Sequence, residues 1–323
     1  MAAHPWIARL RARIGDGAEA GVPHAGLEAL AARVCAARRP LIVAGSGVVD
    51  GDAVPGLRAL AAEARIGVYN TWRAKGVLPW DSDYHLGTVG LQEHDLELCG
   101  LPAYDLVVVT GLDDGELALP GGLPLVECPV GELEILAVRC AGRDGPEAVE
   151  APLRESLAVV VQRAWGGATP PLAPTLITRQ YALLLGERGM VAADAGLAGF
   201  YLARTFPTLR PRSVVLPAVA RPGFAAEQVA ARREAEPGLP ALAVVDGSRP
   251  DDATAAVVAA AAERGIAVPV VCWSPDGPRV GIEDHLHDIR KAVASTAPEV
   301  VAVGFDAGQL RDLEAVAGHI SVW

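Results

Sequence analysis

The run from Leu242 to Pro275, LAVVDGSRPDDATAAVVAAAAERGIAVPVVCWSP, constrains the fold more than any other part of the chain. An apolar strand ending in Asp246-Gly247-Ser248 leads into an alanine-rich helical stretch and then into a second apolar strand, Val268 to Trp273. Buried strands joined through a helix pair in parallel, and the crossover between them is right-handed in nearly every protein. The same alternation of β-rich and helical runs recurs along the chain. The expected fold class is therefore α/β, with two Rossmann-like domains of parallel sheets flanked by helices. Ligands of such sheets bind at the carboxyl ends of the strands, which places candidate chemistry at Asp246 and just after Trp273.

In the first half, the β-rich runs predict strands at Pro40 to Ala44, Ile66 to Tyr69, Leu106 to Thr110, Leu123 to Cys128 and Glu134 to Val138. Helices are expected among and after them, notably Ala53 to Ala64 and Glu147 to Ala164. The second half predicts strands near Val191 and at Ser213 to Leu216, Leu242 to Val245, Val268 to Trp273 and Glu299 to Val303. Between the halves, GGATPPLAP interrupts both periodicities and reads as a linker. The expected organisation is a helical extension over 1–22, a first domain over 23–165, a linker over 166–174 and a second domain over 175–323.

Composition bounds the function classes. With 323 residues, of which 51% are hydrophobic, the chain has ample material for two cores. A net charge of −11 argues against a nucleic-acid partner, because phosphate binding needs clustered cations. The basic run from Arg9 to Arg13 reads as a solvated helical face. No uninterrupted apolar run reaches the ~20 residues needed to span a bilayer, and the N-terminus has no secretory pattern, so no membrane association is expected. Cys35, Cys99, Cys128, Cys140 and Cys272 form no CxxC pair and read as reduced thiols of a cytoplasmic protein.

Several short patterns bear on chemistry. Gly45-Ser46-Gly47 follows a strand and would let a dinucleotide phosphate approach a helix N-terminus, although a tight βα turn explains it as well and is the favoured reading. Arg73 and Lys75, beside Gly76, suit an anion, while the blander reading, again favoured, is a solvated rim. His285 and His287 have the spacing of metal ligands on a strand, but their surroundings read as helical, where residues two apart diverge. No nucleophile elbow is present, and no catalytic residue is assigned.

The blocks ARRPLIVAGSGV, NTWRAKGVLPWDSDYHLGTVGLQ and YDLVVVTGLDDGE, in that order, resemble the middle domain of thiamine diphosphate enzymes of the acetolactate synthase and benzoylformate decarboxylase type. The run from Leu242 to Pro275 resembles their diphosphate-binding domain, whose signature is Gly-Asp-Gly, a helix and Asn-Asn. Here the first Gly is Val245 and the paired Asn are Ser274 and Pro275, leaving Asp246 and Gly247. Asp194-Ala195-Gly196 is similar to the family's Asp-x-Gly, and Pro222-Gly223-Phe224 to its Met-Gly-Phe. The preceding glycine-rich turn reads Val219-Ala220-Arg221, too bulky for close backbone approach.

The resemblance implies an FAD cradle at Lys75, Gly76, Gly90, Gly111 and Asp113, or, as the favoured reading, a spacer that holds no flavin; Gly45 and Gly47, with Arg73 and Lys75, would suit the phosphates of an adenine nucleotide or a coenzyme A derivative. Leu112 stands where that cradle carries an arginine. It also implies thiamine diphosphate contacts at Asp194, Gly196, Gly247 and Ser248, with Asp246 as a magnesium ligand. The eroded signature and the charged helix AAEQVAARREAEP, expected to have one wetted face, imply that thiamine diphosphate with Mg2+ is lost or partner-dependent. No counterpart of the family's pyrimidine-binding domain is recognised. The leading expectation is a protein noncatalytic alone, an assembly or regulatory component pairing with itself as a homo-oligomer or with a separate thiamine diphosphate enzyme subunit. The alternatives are one half of a split 2-keto acid decarboxylase or carboligase, and a nucleotide or coenzyme A sensor.

Overall fold

The computed structural model describes residues 26–145, 149–167 and 169–323. The extension over 1–22, with its basic run, and the start of the helix expected from Glu147 lie outside them.

The amino-terminal half begins with α1 (Leu27–Ala36) and β1 (Pro40–Ala44), followed by α2 (Gly47–Asp50), α3 (Val54–Glu63) and β2 (Gly67–Thr71). It continues through β3 (His85–Val89), α4 (Asp95–Leu98), β4 (Leu106–Thr110), β5 (Leu125–Glu127), α5 (Leu133–Arg139) and α6 (Pro152–Ala164). All strand pairs are parallel, in the order β3-β2-β1-β4-β5. Every residue of β1, β2, β3 and β4 is buried, as a parallel sheet covered on both faces requires. From β1 the chain builds outward to β3 and then returns to lay β4 on the other side of β1. The switch point of the sheet, where crevices open in such folds, thus lies between β1 and β4.

The second half comprises α7 (Pro174–Leu185), β6 (Met190–Ala193), α8 (Leu197–Thr205), β7 (Val214–Val215), α9 (Phe224–Ala235) and β8 (Ala241–Asp246). It ends with α10 (Asp252–Glu263), β9 (Pro269–Ser274), α11 (Ile282–Ala294), β10 (Glu299–Gly304) and α12 (Gly308–Ala317). Its sheet is again parallel, ordered β10-β9-β8-β6-β7, with the switch point between β6 and β8. Prolines stand at the first turns of α3, α6 and α7, where the missing N–H removes no helical bond.

One local expectation is corrected and one strand is added. Glu134 to Val138 is not a strand but lies in α5, with Leu133, Leu136 and Ala137 buried and Ile135 and Val138 exposed. That three-and-four spacing belongs to one helix face; a short apolar run alone does not separate the two states. The strand β3 was not anticipated, because His85, Gly87 and Thr88 break its apolar character.

The halves share an interior. Leu41, Val43 and Tyr69 of the first sheet belong to one apolar cluster with Val191, Leu242 and Trp273 of the second. The Gln92 amide nitrogen donates to the Leu313 and Gly318 carbonyls at 3.2 and 2.7 Å. Two buried arginines lace separate segments by donating to main-chain oxygens: Arg143 to Val34, Ala64 and Ala37, and Arg233 to Leu239, Ala267 and Val293. Arg233 lies on α9, whose Ala225, Ala226, Val229 and Ala230 are also buried, while Glu227 and Arg232 on the other side meet solvent.

Candidate functional site

At the switch point of the second sheet, Asp194 directly follows β6 and β8 ends at Asp246. The turn after β6 must fold back sharply to start α8, and Gly196 allows it with φ +138°. A Cβ at that position would lie 2.0 Å from Asp246 Oδ2. This close approach seats the Asp246 carboxylate on the N-terminus of α8, where Oδ1 accepts the Ala198 amide at 3.0 Å. Asp194 does the same for α9: Oδ1 accepts the Ala225 amide at 2.7 Å and Oδ2 the Gly223 amide at 3.1 Å. A third aspartate, Asp251, caps α10 by accepting the Thr254 amide at 2.7 Å. The free amides and positive dipole of a helix N-terminus are what a phosphate binds. At these three helices the protein's own carboxylates already take one or two of them.

The electrostatics follow. Packing withdraws the Asp194 carboxylate from water and raises its pKa, against the lowering pull of the Ala225 and Gly223 amides. Asp246 is exposed as a residue, but its carboxylate is tucked against α8. Desolvation there raises its pKa too, the Ala198 and Leu197 amides oppose this, and nearby Asp194 adds to it.

Gly247 has φ +116° and donates its amide to the Trp273 carbonyl at 2.7 Å, so it continues the parallel β8–β9 ladder past the end of β8. Ser248 is exposed beside it. At the end of β9, Ser274 Oγ accepts the Asp276 amide at 3.3 Å within its own turn. Among the described residues no group of three or more His, Cys, Asp or Glu side chains is placed to hold a metal. These residues do not fit a magnesium-bridged diphosphate: the acceptor at Asp246 is committed to a helix, and the second turn brings Pro275 where a ligand oxygen is needed.

The first sheet repeats the pattern with a residue that the sequence did not single out. Gly45 donates to the Thr110 carbonyl at 2.9 Å and Gly47 to the Gly111 carbonyl at 2.7 Å, across the β1–β4 switch point. The approach that glycine permits is taken by the chain itself, since a Cβ on Gly45 would lie 2.4 Å from Gly111 O and from Leu112 Cα. Above this turn Glu116, only 4% exposed, accepts the Ser46 amide at 3.1 Å and the Asp113 amide at 3.2 Å through Oε2. Arg73 lies 3.2 Å from Asp113 and 3.5 Å from Glu116, and Ser46 Oγ is 3.2 Å from Asp113. Burial pushes the Glu116 pKa up, while the Ser46 and Asp113 amides and Arg73 oppose it. The structure thus brings Gly45, Gly47, Arg73, Gly111 and Asp113 together, around a carboxylate.

The other expected members of that cradle are elsewhere. Lys75 is no solvated rim: it is 5% exposed, and burial, with Arg204 nearby, lowers its pKa to about 7. Gly76 has φ +86° and lets the second half approach, a Cβ there falling 2.1 Å from Arg210 O. Gly90 lines a cleft described below. His285 and His287 lie on α11, where His285 turns wholly inward and bonds Tyr181 Oη at 2.7 Å, while His287 faces out. All five cysteines are free, Cys35 exposed and the others buried. No helix among the described residues is long and apolar enough to cross a membrane.

Comparison with known proteins finds a family match within the first half. Residues 27–121 match the family model described as thiamine pyrophosphate enzyme, central domain. An acetolactate synthase of Mycobacterium avium is 35% identical over 78 residues, which are 24% of this chain and 13% of that protein. The fold is similar to the X-ray structure of a Mycobacterium smegmatis protein described as a thiamin diphosphate-dependent enzyme. The TM-score is 0.66 at 16% identity, covering 86% of this chain and 64% of that one.

Proposed function

From a chain whose residues 27–121 belong to the thiamine pyrophosphate enzyme central-domain family, we propose a protein that performs no thiamine-dependent chemistry on its own and acts as an assembly or regulatory component. One observation carries this reading. At the switch points of both sheets, the backbone amides suited to a phosphate are taken by Glu116, Asp194 and Asp246. A diphosphate entering there would have to displace a carboxylate and would meet like charge at close range, a repulsion that low dielectric strengthens. Decarboxylation and carboligation need the cofactor anchored beside its metal. The retained surfaces then serve pairing with a second copy or with a separate thiamine diphosphate enzyme subunit.

The test is a thermal-shift titration of the full chain with thiamine diphosphate and Mg2+. No change in Tm is expected, and a saturable rise would overturn the reading. The split-enzyme reading makes a different prediction. It requires that a co-purified pyrimidine-binding partner restore both the shift and turnover of a 2-keto acid; an inactive complex would eliminate it.

A further inference from the structure

A cleft of about 440 Å3 opens at the carboxyl edge of the first sheet, beside Trp72, Gly90, Glu93 and Glu116. One wall is the segment Ser321–Trp323, reached from α12 through a turn at Gly318, where φ is +79°. The segment is anchored at its base. Glu93 and His94 donate their amides to the His319 and Ala317 carbonyls at 3.0 and 2.8 Å, and Gln92 bridges to Ile320 in antiparallel fashion. Beyond that base, among the described residues, its main chain makes one bond to the first half, from the Ser321 amide to the Leu91 carbonyl at 3.0 Å.

The Trp323 side chain is held by side-chain complementarity. Its ring meets Trp72 edge-on at 5.2 Å, lies over Gly199 in the first turn of α8, and donates Nε1–H to the Pro217 carbonyl at 2.9 Å. Gly199 has no room for more: a Cβ there would fall 3.3 Å from the indole. The residue is still 37% exposed, and its backbone sits at φ +67°, a region that L residues other than Asn and Asp enter at a cost. A planar recess with an aromatic wall, a backbone acceptor and a glycine floor is thus filled by a side chain on a lightly held, strained segment.

We propose that Ser321–Trp323 is a displaceable strap, and that the Trp323 indole occupies a binding site for a planar aromatic ligand carrying a ring N–H. Of the acidic residues beside the cleft, Asp95 is matched by Arg204 and Glu116 by Arg73, which leaves Glu93 facing it, and among the described residues no Lys, Arg or His lines it. It therefore selects a neutral or cationic ring and disfavours a phosphorylated nucleotide. When the strap lifts at Gly318, the ligand takes the place of the indole; when it closes, the chain is its own competitor.

Hydrogen exchange of the full chain tests the opening. The Ser321 amide should exchange at least ~100-fold faster than the Glu93 and His94 amides, because a strap opens without unfolding its anchor. Trp323→Ala tests the recess, with free indole as the probe and AMP as the control. The variant should fold, indole should raise its Tm saturably, and AMP should leave it unchanged. Exchange of Ser321 at the anchor's rate, a Trp323→Ala chain that does not fold, or a folded one indifferent to indole would each overturn the proposal. A shift with AMP in place of indole would overturn the ligand class.

Discussion

Arg204 on α8 grips Asp95 at the start of α4 through two contacts, 2.7 and 2.8 Å long, and both side chains are 1% exposed. Asp95 also accepts the Leu91 and Gln92 amides, and Arg204 donates to the Thr88 carbonyl at 2.9 Å. The pair joins the two halves in a place that water does not reach. Removing one member leaves the other charge buried and unpaired, which typically costs 3–5 kcal/mol. Asp95→Ala should lower the urea unfolding free energy by about that amount. Asp95→Ala with Arg204→Met should recover much of the loss, since no charge is then stranded.

Gly196→Ala places a Cβ against Asp246 Oδ2 and uncaps α8. Loss of a cap together with backbone strain should cost roughly 2–4 kcal/mol, read as a lower urea midpoint. Asp246→Asn keeps an acceptor for the Ala198 amide and should change stability by less than about 1 kcal/mol. A larger loss in the asparagine variant would mean that the charge, and not the cap, is what α8 requires.

Lys75 supplies a pH signature. Its folded pKa lies near 7, below the ordinary lysine value, because burial and then Arg204 disfavour the ammonium. The neutral amine fits the fold, so the stability it confers is present above about pH 10.5 and is lost as pH falls toward 7. Lys75→Met should therefore stabilise the protein at pH 7, by roughly 2–4 kcal/mol, and the gain should shrink at pH 10. Unfolding curves at the two pH values check the sign.

His285 acts in the acid range. Burial lowers its pKa to about 4, with Asp288 opposing weakly. Folding favours the neutral ring, so stability is present above the unfolded value near 6.5 and falls away as pH drops through 4. Between pH 7.5 and pH 5 this group should remove roughly 2 kcal/mol. His85, lowered to about 3 by burial first and Lys75 second, acts in the same direction. In His285→Gln the acid slope of stability should flatten measurably.

The strands were legible where the residues left one choice. LIVA after Pro40 and LAVV before Asp246 are apolar throughout, and both are fully buried central strands apart from the exposed tip at Asp246. The run over Glu134 to Val138 was misread because five apolar-rich residues carry too little phase to separate a period of two from one of 3.6. The resemblance to thiamine diphosphate enzymes pointed to most glycines and aspartates of the candidate site, but not to their partners. Glu116 meets Ser46 across 70 positions, and Asp246 meets Ala198 across 48. Nothing local distinguishes a carboxylate that caps a distant helix from one that faces water. The burial of Lys75 was hidden for the same reason: its neighbour Arg204 belongs to the other half.

The apolar cluster that runs from Leu41 through Trp273 has a consequence for any attempt to take the molecule apart. A protease nick between Trp165 and Pro174 would sever the chain without releasing either piece, because the oily faces it uncouples have no other cover. Expressed singly, each fragment would be expected to aggregate; expressed together, they should reassemble into a noncovalent heterodimer.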